Sequence, residues 1–209
     1  MSYKVKEVYL TIQGEGYQTG RVAVFCRFTG CNLWSGYEKD RKRAICDFCD
    51  TDFVGTDGPG GGVFEDAKSL TQHLLSFWDS DETPFFVFTG GEPLLQMDDE
   101  LVFELKHNKI EIAIETNGTI FPPDGIDWVC VSPKANTELI VHSGEECKVV
   151  YPQKDLDLNE ILKMDFKHFS LQPMDGEQIK NNTLLTMEYC RKNPKWSLSI
   201  QTHKYLNIP

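Results

Sequence analysis

Nearly every predicted strand of this 209-residue sequence ends in polar or glycine-rich residues. Apolar strands alternate with amphipathic helices along the chain, which predicts a parallel sheet with helical crossovers. Ligands of parallel α/β folds bind at the carboxyl ends of the strands, so these endings are expected to converge on one face. The endings are TGC from Thr29, TGGE from Thr89, ETNG from Glu115, SPK from Ser132, QPMDG from Gln172 and QTHK from Gln201.

Hydrophobic patterning predicts eight strands and four helices. The second strand is apolar throughout except at Arg27, as a buried parallel strand would be. GTDGPGGG at 55–62 is predicted to have no regular structure, and no repeat or linker divides the chain, so we expect one domain over residues 1–209. The predicted strands cover 3–11, 22–29, 85–88, 110–114, 128–131, 147–151, 168–171 and 197–201. The predicted helices cover 64–78 (core face Leu70, Leu74, Phe77), 94–107, 158–164 and 178–191.

Charge and hydropathy limit the classes of partner. The formal net charge is −11, from 21 basic and 32 acidic residues, which is the wrong sign for a nucleic-acid-binding surface. No apolar run is long enough for a membrane span, and the first ten residues lack the apolar core of a signal peptide. We therefore expect a cytoplasmic protein that contacts neither nucleic acid nor membrane. An anionic small molecule could still bind where a few cationic groups gather locally.

Three of the seven cysteines, Cys31, Cys46 and Cys49, form the pattern C-x14-C-x2-C. An odd number of cysteines excludes a complete disulfide framework, and the reducing environment of the cytoplasm favours metal binding. Three thiolates are one short of a closed tetrahedral zinc site or a fully ligated iron–sulfur cubane. Either a non-cysteine ligand completes a structural zinc site, or one metal position stays open for chemistry. The other four, Cys26, Cys130, Cys147 and Cys190, are predicted to be buried small residues.

The cysteines are accompanied by Phe48 just before Cys49, and by TGGEP at 89–93 after a buried strand. This combination resembles the radical S-adenosylmethionine (SAM) superfamily, in which three cysteines bind a [4Fe–4S] cluster and SAM chelates the fourth iron. The usual superfamily spacing is C-x3-C-x2-C, so residues 32–45 are interpreted as an insertion in the cluster loop. The resemblance implies an α/β fold, a partial (β/α) barrel of the radical SAM type with an open parallel sheet.

Motifs along the whole chain resemble those of the 7-carboxy-7-deazaguanine synthase family, which serves queuosine and 7-deazapurine biosynthesis. The resemblance implies a carbon–nitrogen lyase that converts 6-carboxy-5,6,7,8-tetrahydropterin to 7-carboxy-7-deazaguanine and ammonia by radical ring contraction. One electron from the cluster would cleave SAM, and the 5′-deoxyadenosyl radical would take hydrogen from C6 of the pterin. The motifs are IQGEG at 12–16, CDT at 49–51, ETNG at 115–118, SPK at 132–134, QPMDG at 172–176 and QTHKYLNIP from Gln201.

The same resemblance assigns the site residues. Cys31, Cys46 and Cys49 would ligate the cluster, and Thr51 would bind a Mg²⁺ ion. SAM would be lined by Phe48, Cys49, Asp50, Gly91, Glu92, Ser132, Pro133, Lys134, Gln172, Pro173, Met174 and Asp175. The substrate would meet Ile12, Gln13, Gly14, Glu15, Arg27, Thr89 and the carboxylate of Pro209.

Several of these residues also have ordinary structural interpretations. Arg27 could pair with an acid, Thr51 could be a turn former, and Glu15 could be solvated. A role for His203 stays open, and the charged run from Glu38 to Arg43 is predicted to be solvated.

The implied partners are the carboxypterin and a reductant such as flavodoxin or ferredoxin, and we also expect a homodimer. Two other functions stay open at this point. One is a radical SAM activase that makes a glycyl radical on a partner protein. The other is a non-enzymatic zinc-binding module.

Overall fold

A computed structural model describes residues 2–209; Met1, the first residue of the predicted domain, lies outside the described residues. The strands are β1 (Tyr3–Ile12), β2 (Val22–Phe28), β3 (Gly62–Phe64), β4 (Phe85–Gly90), β5 (Glu111–Thr116), β6 (Trp128–Val131), β7 (Ser143–Tyr151), β8 (Asp165–Pro173) and β9 (Ser197–Leu198). The helices are α1 (Ala67–Leu75), α2 (Asp99–His107), α3 (Leu158–Ile161), α4 (Ile179–Lys192) and α5 (Thr202–Leu206), with 3-10 turns at Glu38–Arg43 and Pro93–Leu95.

The strands form a single sheet in the order β3-β1-β2-β4-β5-β6-β7-β8-β9. From β2 to β9 neighbouring strands are parallel, whereas β1 runs antiparallel to both β2 and β3. The sheet stays open because β3 and β9 end it without pairing with each other. The predicted α/β fold with an open parallel sheet is confirmed, with an antiparallel pair added at one edge.

Two apolar layers hold the helices against the sheet. One contains α1, α2 and the neighbouring sides of β1, β2, β4 and β5, with Leu70, Leu74 and Leu101 fully buried. The other packs α3 and Trp196 against β7 and β8. The predicted core face of α1 is correct, since Phe77 also packs against the first layer. The opposite side of the sheet carries polar side chains such as Arg27 and Lys148 beside a smaller apolar cluster of Ala23, Phe25, Phe85, Val87 and Ala113.

Several elements differ from the sequence-based expectations. β7 and β8 are longer than predicted, and α1 and α3 are shorter. The glycine-rich stretch predicted to lack regular structure supplies the first residue of β3, and a side chain at Gly61 would collide with the backbone of Lys6. The helix predicted from residue 94 is interrupted, because Asp98 caps a new helix by accepting from the Leu101 N–H at 3.0 Å. The last strand ends at Leu198, and the tail forms the short helix α5. Within residues 2–209 no helix is long and apolar enough to cross a membrane.

Candidate active site

A cavity of about 410 Å³ lies at the carboxyl ends of the parallel strands. Residues from all six polar strand endings line it, and it reaches from the end of β2 to the loop after β8 and the chain's last residues. The convergence expected from parallel strands is therefore present in the structure.

Most of the predicted site residues share this one wall, but Glu92 and Pro133 do not line it. The predicted residues on the wall are Ile12, Gln13, Gly14, Glu15, Arg27, Cys31, Cys46, Phe48, Cys49, Asp50, Thr51, Thr89, Gly91, Ser132, Lys134, Gln172, Pro173, Met174, Asp175 and Pro209. His203, whose place the sequence left open, also lines the wall, and a side chain at Gly14 would overlap its ring.

The three cysteines of the C-x14-C-x2-C pattern all face the cavity. All seven cysteines, which lie within residues 2–209, are free thiols. The Leu33 N–H lies 3.4 Å from the Cys31 sulfur, as a donor to a thiolate would. The hydrogen bond from Cys46 lowers the pKa of Cys49 to about 6, and the same contact, with burial, raises the pKa of Cys46. Three soft sulfur donors around one cavity fit an iron–sulfur cluster with one iron left uncapped by protein.

The insertion carries a contact that the sequence did not predict. Arg41 stacks over the Trp34 ring, 4.1 Å from its centroid, and pairs with Glu38 at 2.8 Å. It also donates to the carbonyl oxygens of Asp47 and Cys49, at 2.8 and 3.0 Å. The expectation that the whole run from Glu38 to Arg43 is solvated is therefore wrong for Arg41, which joins the insertion to the cysteine-bearing turn.

Glu92 lies behind the cavity wall, with none of its surface exposed. Its carboxylate accepts hydrogen bonds from the Leu94 N–H at 3.0 Å, the Thr116 hydroxyl at 2.8 Å and the Asn117 N–H at 2.8 Å. Burial raises its pKa in spite of these donors. Glu92 thus joins the loop after β4 to the end of β5, and its predicted contact with SAM stays a prediction.

Lys134, from the SPK motif, bends back onto its own strand end. Its ammonium donates to the carbonyl and hydroxyl oxygens of Ser132 at 2.6 and 2.7 Å. Burial lowers the pKa of Lys134, while the charges of Cys46 and Cys49 act in the opposite direction. Lys134 is therefore a half-buried cation on the same cavity wall as Cys46 and Cys49.

Arg27 has an acidic partner in Glu7, and it faces the cavity as well. Its Nε donates to Glu7 at 2.7 Å, and one terminal nitrogen donates to the Tyr9 hydroxyl at 3.0 Å. These two partners on β1 fix the plane of the guanidinium beside the predicted substrate residues. Sequence reasoning missed both, although their alternation on the first predicted strand places them on the same face as Thr11.

A buried charge network occupies the cavity floor. Lys148 on β7 pairs with Glu15 at 2.6 Å and with Glu115 at 3.2 Å. Gln13 donates to Glu115 at 3.0 Å, and Gln201 donates to Glu15 at 2.9 Å. The sequence held a signal for Lys148, since it is a single charge among the apolar residues of Cys147–Val150, as Arg27 is on β2.

The C-terminal segment closes one side of the cavity. Thr202 donates its N–H to the Gly14 carbonyl at 2.9 Å, and the Thr11 hydroxyl donates to a Pro209 oxygen at 2.8 Å. Lys204 pairs with Asp50 at 2.9 Å and also with Asp175. The segment from Gln201 to Pro209 is therefore fastened to three separate loops of the cavity wall.

Among residues 2–209, no group of three or more His, Cys, Asp or Glu side chains converges closely enough to hold a single metal ion. Thr51 lines the cavity next to the cysteine-bearing turn. The predicted Mg²⁺ contact at Thr51 stays a prediction.

Comparisons with known proteins agree on one family. A family model described as the radical SAM superfamily matches residues 42–143. A 7-carboxy-7-deazaguanine synthase from Burkholderia multivorans is 54% identical over 210 residues, covering 100% of both chains. Synthases of the same name from Caulobacter vibrioides and Bacteroides thetaiotaomicron are 52% and 38% identical, again over 100% of each chain. The crystal structure of QueE from Escherichia coli superposes with a TM-score of 0.70 at 27% identity, covering 96% of this chain and 94% of that one.

Proposed function

Because the chain belongs to the 7-carboxy-7-deazaguanine synthase family of radical SAM enzymes, we propose that it converts 6-carboxy-5,6,7,8-tetrahydropterin to 7-carboxy-7-deazaguanine and ammonia. The enzyme is a lyase of queuosine biosynthesis by this membership. One observation supports the substrate most directly: the three cysteines, the SAM-type motifs and the half-buried Arg27 share a single cavity.

Membership of the radical SAM superfamily implies a [4Fe–4S] cluster and SAM. Cys31, Cys46 and Cys49 would hold the cluster, and their free thiols around one cavity suit it. When bound, the cluster and SAM supply the one-electron chemistry that starts the reaction. Lys134 and Ser132, beside the cysteines, would bind SAM, together with the run from Gln172 to Asp175.

The chain's own residues bind and orient the substrate. Arg27 offers its remaining N–H groups to the pterin carboxylate, and Glu7 and Tyr9 keep the guanidinium in place. Gln13 and Glu15 lie on the cavity floor, where they would meet the polar edge of the pterin ring. The segment from Gln201 to Pro209 covers the cavity and limits the access of water to reactive intermediates.

We extend the proposal to a Mg²⁺ ion at Thr51, whose other ligands would be substrate and water oxygens. Thr51→Ala is then expected to lose the Mg²⁺ stimulation of turnover while keeping its iron content and SAM affinity. Turnover measured against Mg²⁺ concentration tests this. A Thr51→Ala enzyme that responds to Mg²⁺ as the wild type does would place the ion elsewhere.

We also propose that residues 1–209 form one domain with an insertion at 32–45, that a flavodoxin or ferredoxin is the reductant, and that the enzyme is a homodimer. Exposed apolar side chains on α4, namely Leu184, Leu185 and Met187, support a protein contact there. Light scattering of the purified enzyme, with Leu184→Glu for comparison, tests the dimer. A wild type that is monomeric at micromolar concentration would contradict it.

An anaerobic assay tests the function itself. Reconstituted enzyme, SAM, Mg²⁺ and a reductant are incubated with the carboxypterin, and 7-carboxy-7-deazaguanine and 5′-deoxyadenosine are measured. Cys31→Ala, Cys46→Ala and Cys49→Ala should abolish both products, whereas Cys190→Ala, on α4 away from the cavity, should not. A requirement for a partner protein would favour the glycyl-radical activase, and a colourless zinc-loaded protein would favour the zinc module.

A further inference from the structure

Lys148 is a buried lysine without an assigned role. It lies in the middle of β7, its side chain is 5% exposed, and it faces the cavity rather than the apolar layers. Burying a lysine is costly unless the ammonium is paired and hydrogen-bonded. Here the ammonium contacts two carboxylates from distant parts of the chain, Glu15 and Glu115.

Each of these two carboxylates also accepts a hydrogen bond from a glutamine, at the oxygen that does not accept from Lys148. Glu15 accepts from Lys148 at Oε2 and from Gln201 at Oε1, at 2.6 and 2.9 Å. Glu115 accepts from Lys148 at Oε2 and from Gln13 at Oε1, at 3.2 and 3.0 Å. Each oxygen has a second lone pair. The cavity floor therefore presents two oriented carboxylates that can accept further N–H groups.

We propose that Lys148 is a positioning residue that keeps Glu15 and Glu115 together as ionised acceptors for the N–H donors of the pterin ring, an inference that rests on the proposed function. The pyrimidine part of a pterin carries an amino group and one ring N–H. An ionised carboxylate accepts hydrogen bonds from these donors more strongly than a protonated carboxyl group does. Lys148 would act on the substrate through the two glutamates and would not touch the reacting atoms.

The electrostatics agree with this geometry. Burial alone would raise the pKa of Glu15, but the charge and hydrogen bond of Lys148 outweigh it and lower that pKa to about 2. Burial lowers the pKa of Lys148, but Glu115 and Glu15 raise it well above the ordinary lysine value. Other titratable groups also influence Lys148 or Glu15. They are Cys130 from β6, Glu146 from β7, Lys134 from the loop after β6 and His203 from α5.

The sign of the pH effect follows from these partners. Ionised Glu15 accepts from the substrate, so this part of the affinity is present above the pKa of Glu15 and is lost as the pH falls through it. With Lys148 present that loss lies far below neutral pH. Without Lys148, the burial of Glu15 is no longer outweighed by a neighbouring positive charge, so the pKa of Glu15 rises. A lysine that only held the fold together would not make substrate affinity depend on pH.

The test is the dissociation constant of the carboxypterin as a function of pH. Reconstituted enzyme is titrated by anaerobic calorimetry with SAM and Mg²⁺ but no reductant, so that no turnover occurs, between about pH 6 and about pH 8. The wild type should bind with nearly constant affinity. Lys148→Met should bind at least about tenfold more weakly at the acidic end and recover as the pH rises. Lys148→Arg, which keeps the charge, should retain the flat profile.

Control variants separate this effect from a loss of folding. Lys167→Met removes an exposed lysine of the adjacent strand β8 and should bind as the wild type does. If Lys148→Met does not fold, Lys148→Met/Glu115→Gln removes one charge of each sign from the network and should show the same acidic loss through Glu15. Iron content and SAM affinity should match the wild type in every variant that is compared.

A flat profile for Lys148→Met or for the double variant would overturn the inference, whether affinity is unchanged or reduced equally at every pH. A wild type that binds the pterin and turns it over would then still satisfy the proposed function. A wild type that neither binds nor converts the pterin would remove both.

Discussion

At the scale of single residues, Arg41 joins residues 32–45 to the turn that carries Cys46 and Cys49, two of the cysteines proposed to bind the cluster. Its guanidinium is held by Trp34 and Glu38, and it donates to two backbone carbonyls of that turn. Because Arg41 holds two backbone carbonyl groups of the turn by hydrogen bonds, the turn is expected to open less easily. Cluster retention should therefore depend on this side chain.

Arg41→Ala is expected to lose its reconstituted cluster several-fold faster than the wild type, because two charge-assisted hydrogen bonds to the turn are removed. The measurement is the decay of the visible absorbance of the cluster in the presence of an iron chelator. Lys42→Ala, which removes the exposed neighbouring charge, is the matched control and should decay as the wild type does. Equal decay of all three proteins would show that Arg41 does not hold the turn.

Glu7 and Tyr9 orient Arg27, so their loss should weaken substrate binding without changing the cluster. Glu7→Gln keeps the shape but removes the charge that fixes Nε, and we expect the KM for the carboxypterin to rise several-fold. Arg27→Lys should raise KM further, because a lysine cannot present paired donors to a carboxylate.

Steady-state kinetics under anaerobic conditions check both variants, with Glu65→Gln on the exposed surface as control. A KM for Glu7→Gln equal to that of the wild type would mean that β1 does not position the guanidinium. SAM affinity and iron content should not change in any of the three.

At the scale of elements, the short helix α5 is attached to the rest of the molecule mainly by polar contacts. Its side chains Tyr205 and Leu206 are exposed, and Lys204 pairs with Asp50 from the cluster loop and Asp175 from the loop after β8. These ion pairs are partly exposed, so each contributes little by itself to stability. They nevertheless join two loops predicted to line SAM.

Lys204→Met is expected to increase amide hydrogen exchange over residues 201–209 while exchange in β4 and β5 stays unchanged. Mass spectrometry of the reconstituted enzyme measures it, with Lys192→Met as the control because Lys192 forms an exposed ion pair within α4. The same exchange in Lys204→Met and wild type would show that the ion pairs do not hold α5 in place.

The elements that sequence patterns predicted are the ones whose side chains follow a strong period or an apolar run. β2, β4 and β6 are largely apolar, with Arg27 as the one charge in β2, and their predicted ends lie within two residues of the observed ones. β3 was missed because a three-residue edge strand of glycine, valine and phenylalanine has no period of its own; it exists through pairing with β1. α5 could not be predicted either, because a helix of five residues that buries no side chain shows no hydrophobic period.

At the scale of the whole molecule, an enzyme with a net charge of −11 has to bind an anionic substrate. Long-range repulsion is screened beyond about 8–10 Å at physiological salt, whereas the half-buried Arg27 is screened much less. We therefore expect the KM for the carboxypterin to stay constant or fall as potassium chloride is raised to about threefold the physiological ionic strength. A KM that rises steeply with salt would indicate that exposed cations, rather than Arg27, dominate binding.

The motifs of the site could be read from the sequence because each one is local, and parallel strands bring local endings together. The ion-pair partners of the residues in those motifs could not be predicted from the sequence. Lys148 and Glu15 are separated by 133 residues, and Arg27 finds Glu7 only because β1 and β2 pair in one register. A sequence pattern shows that a lone charge in an apolar strand needs a partner, but the tertiary fold decides which acid it meets.

Contacts between residues far apart in the sequence also determine which parts of the fold can form first during synthesis. The contacts that fasten the last segment to the β1–β2 loop span 183 to 198 residues, from Gly16 with Ser199 to Thr11 with Pro209. The ribosome synthesises the N-terminal residues first. The hydrogen bond between Glu15 and Gln201 can therefore form only after residues 16–200 have been synthesised. The sheet from β1 to β8 can pair before the last segment emerges, but the cavity gains its last wall only afterwards. The pocket proposed to hold the cluster and SAM is therefore complete only once residues 199–209 have joined residues 11–16.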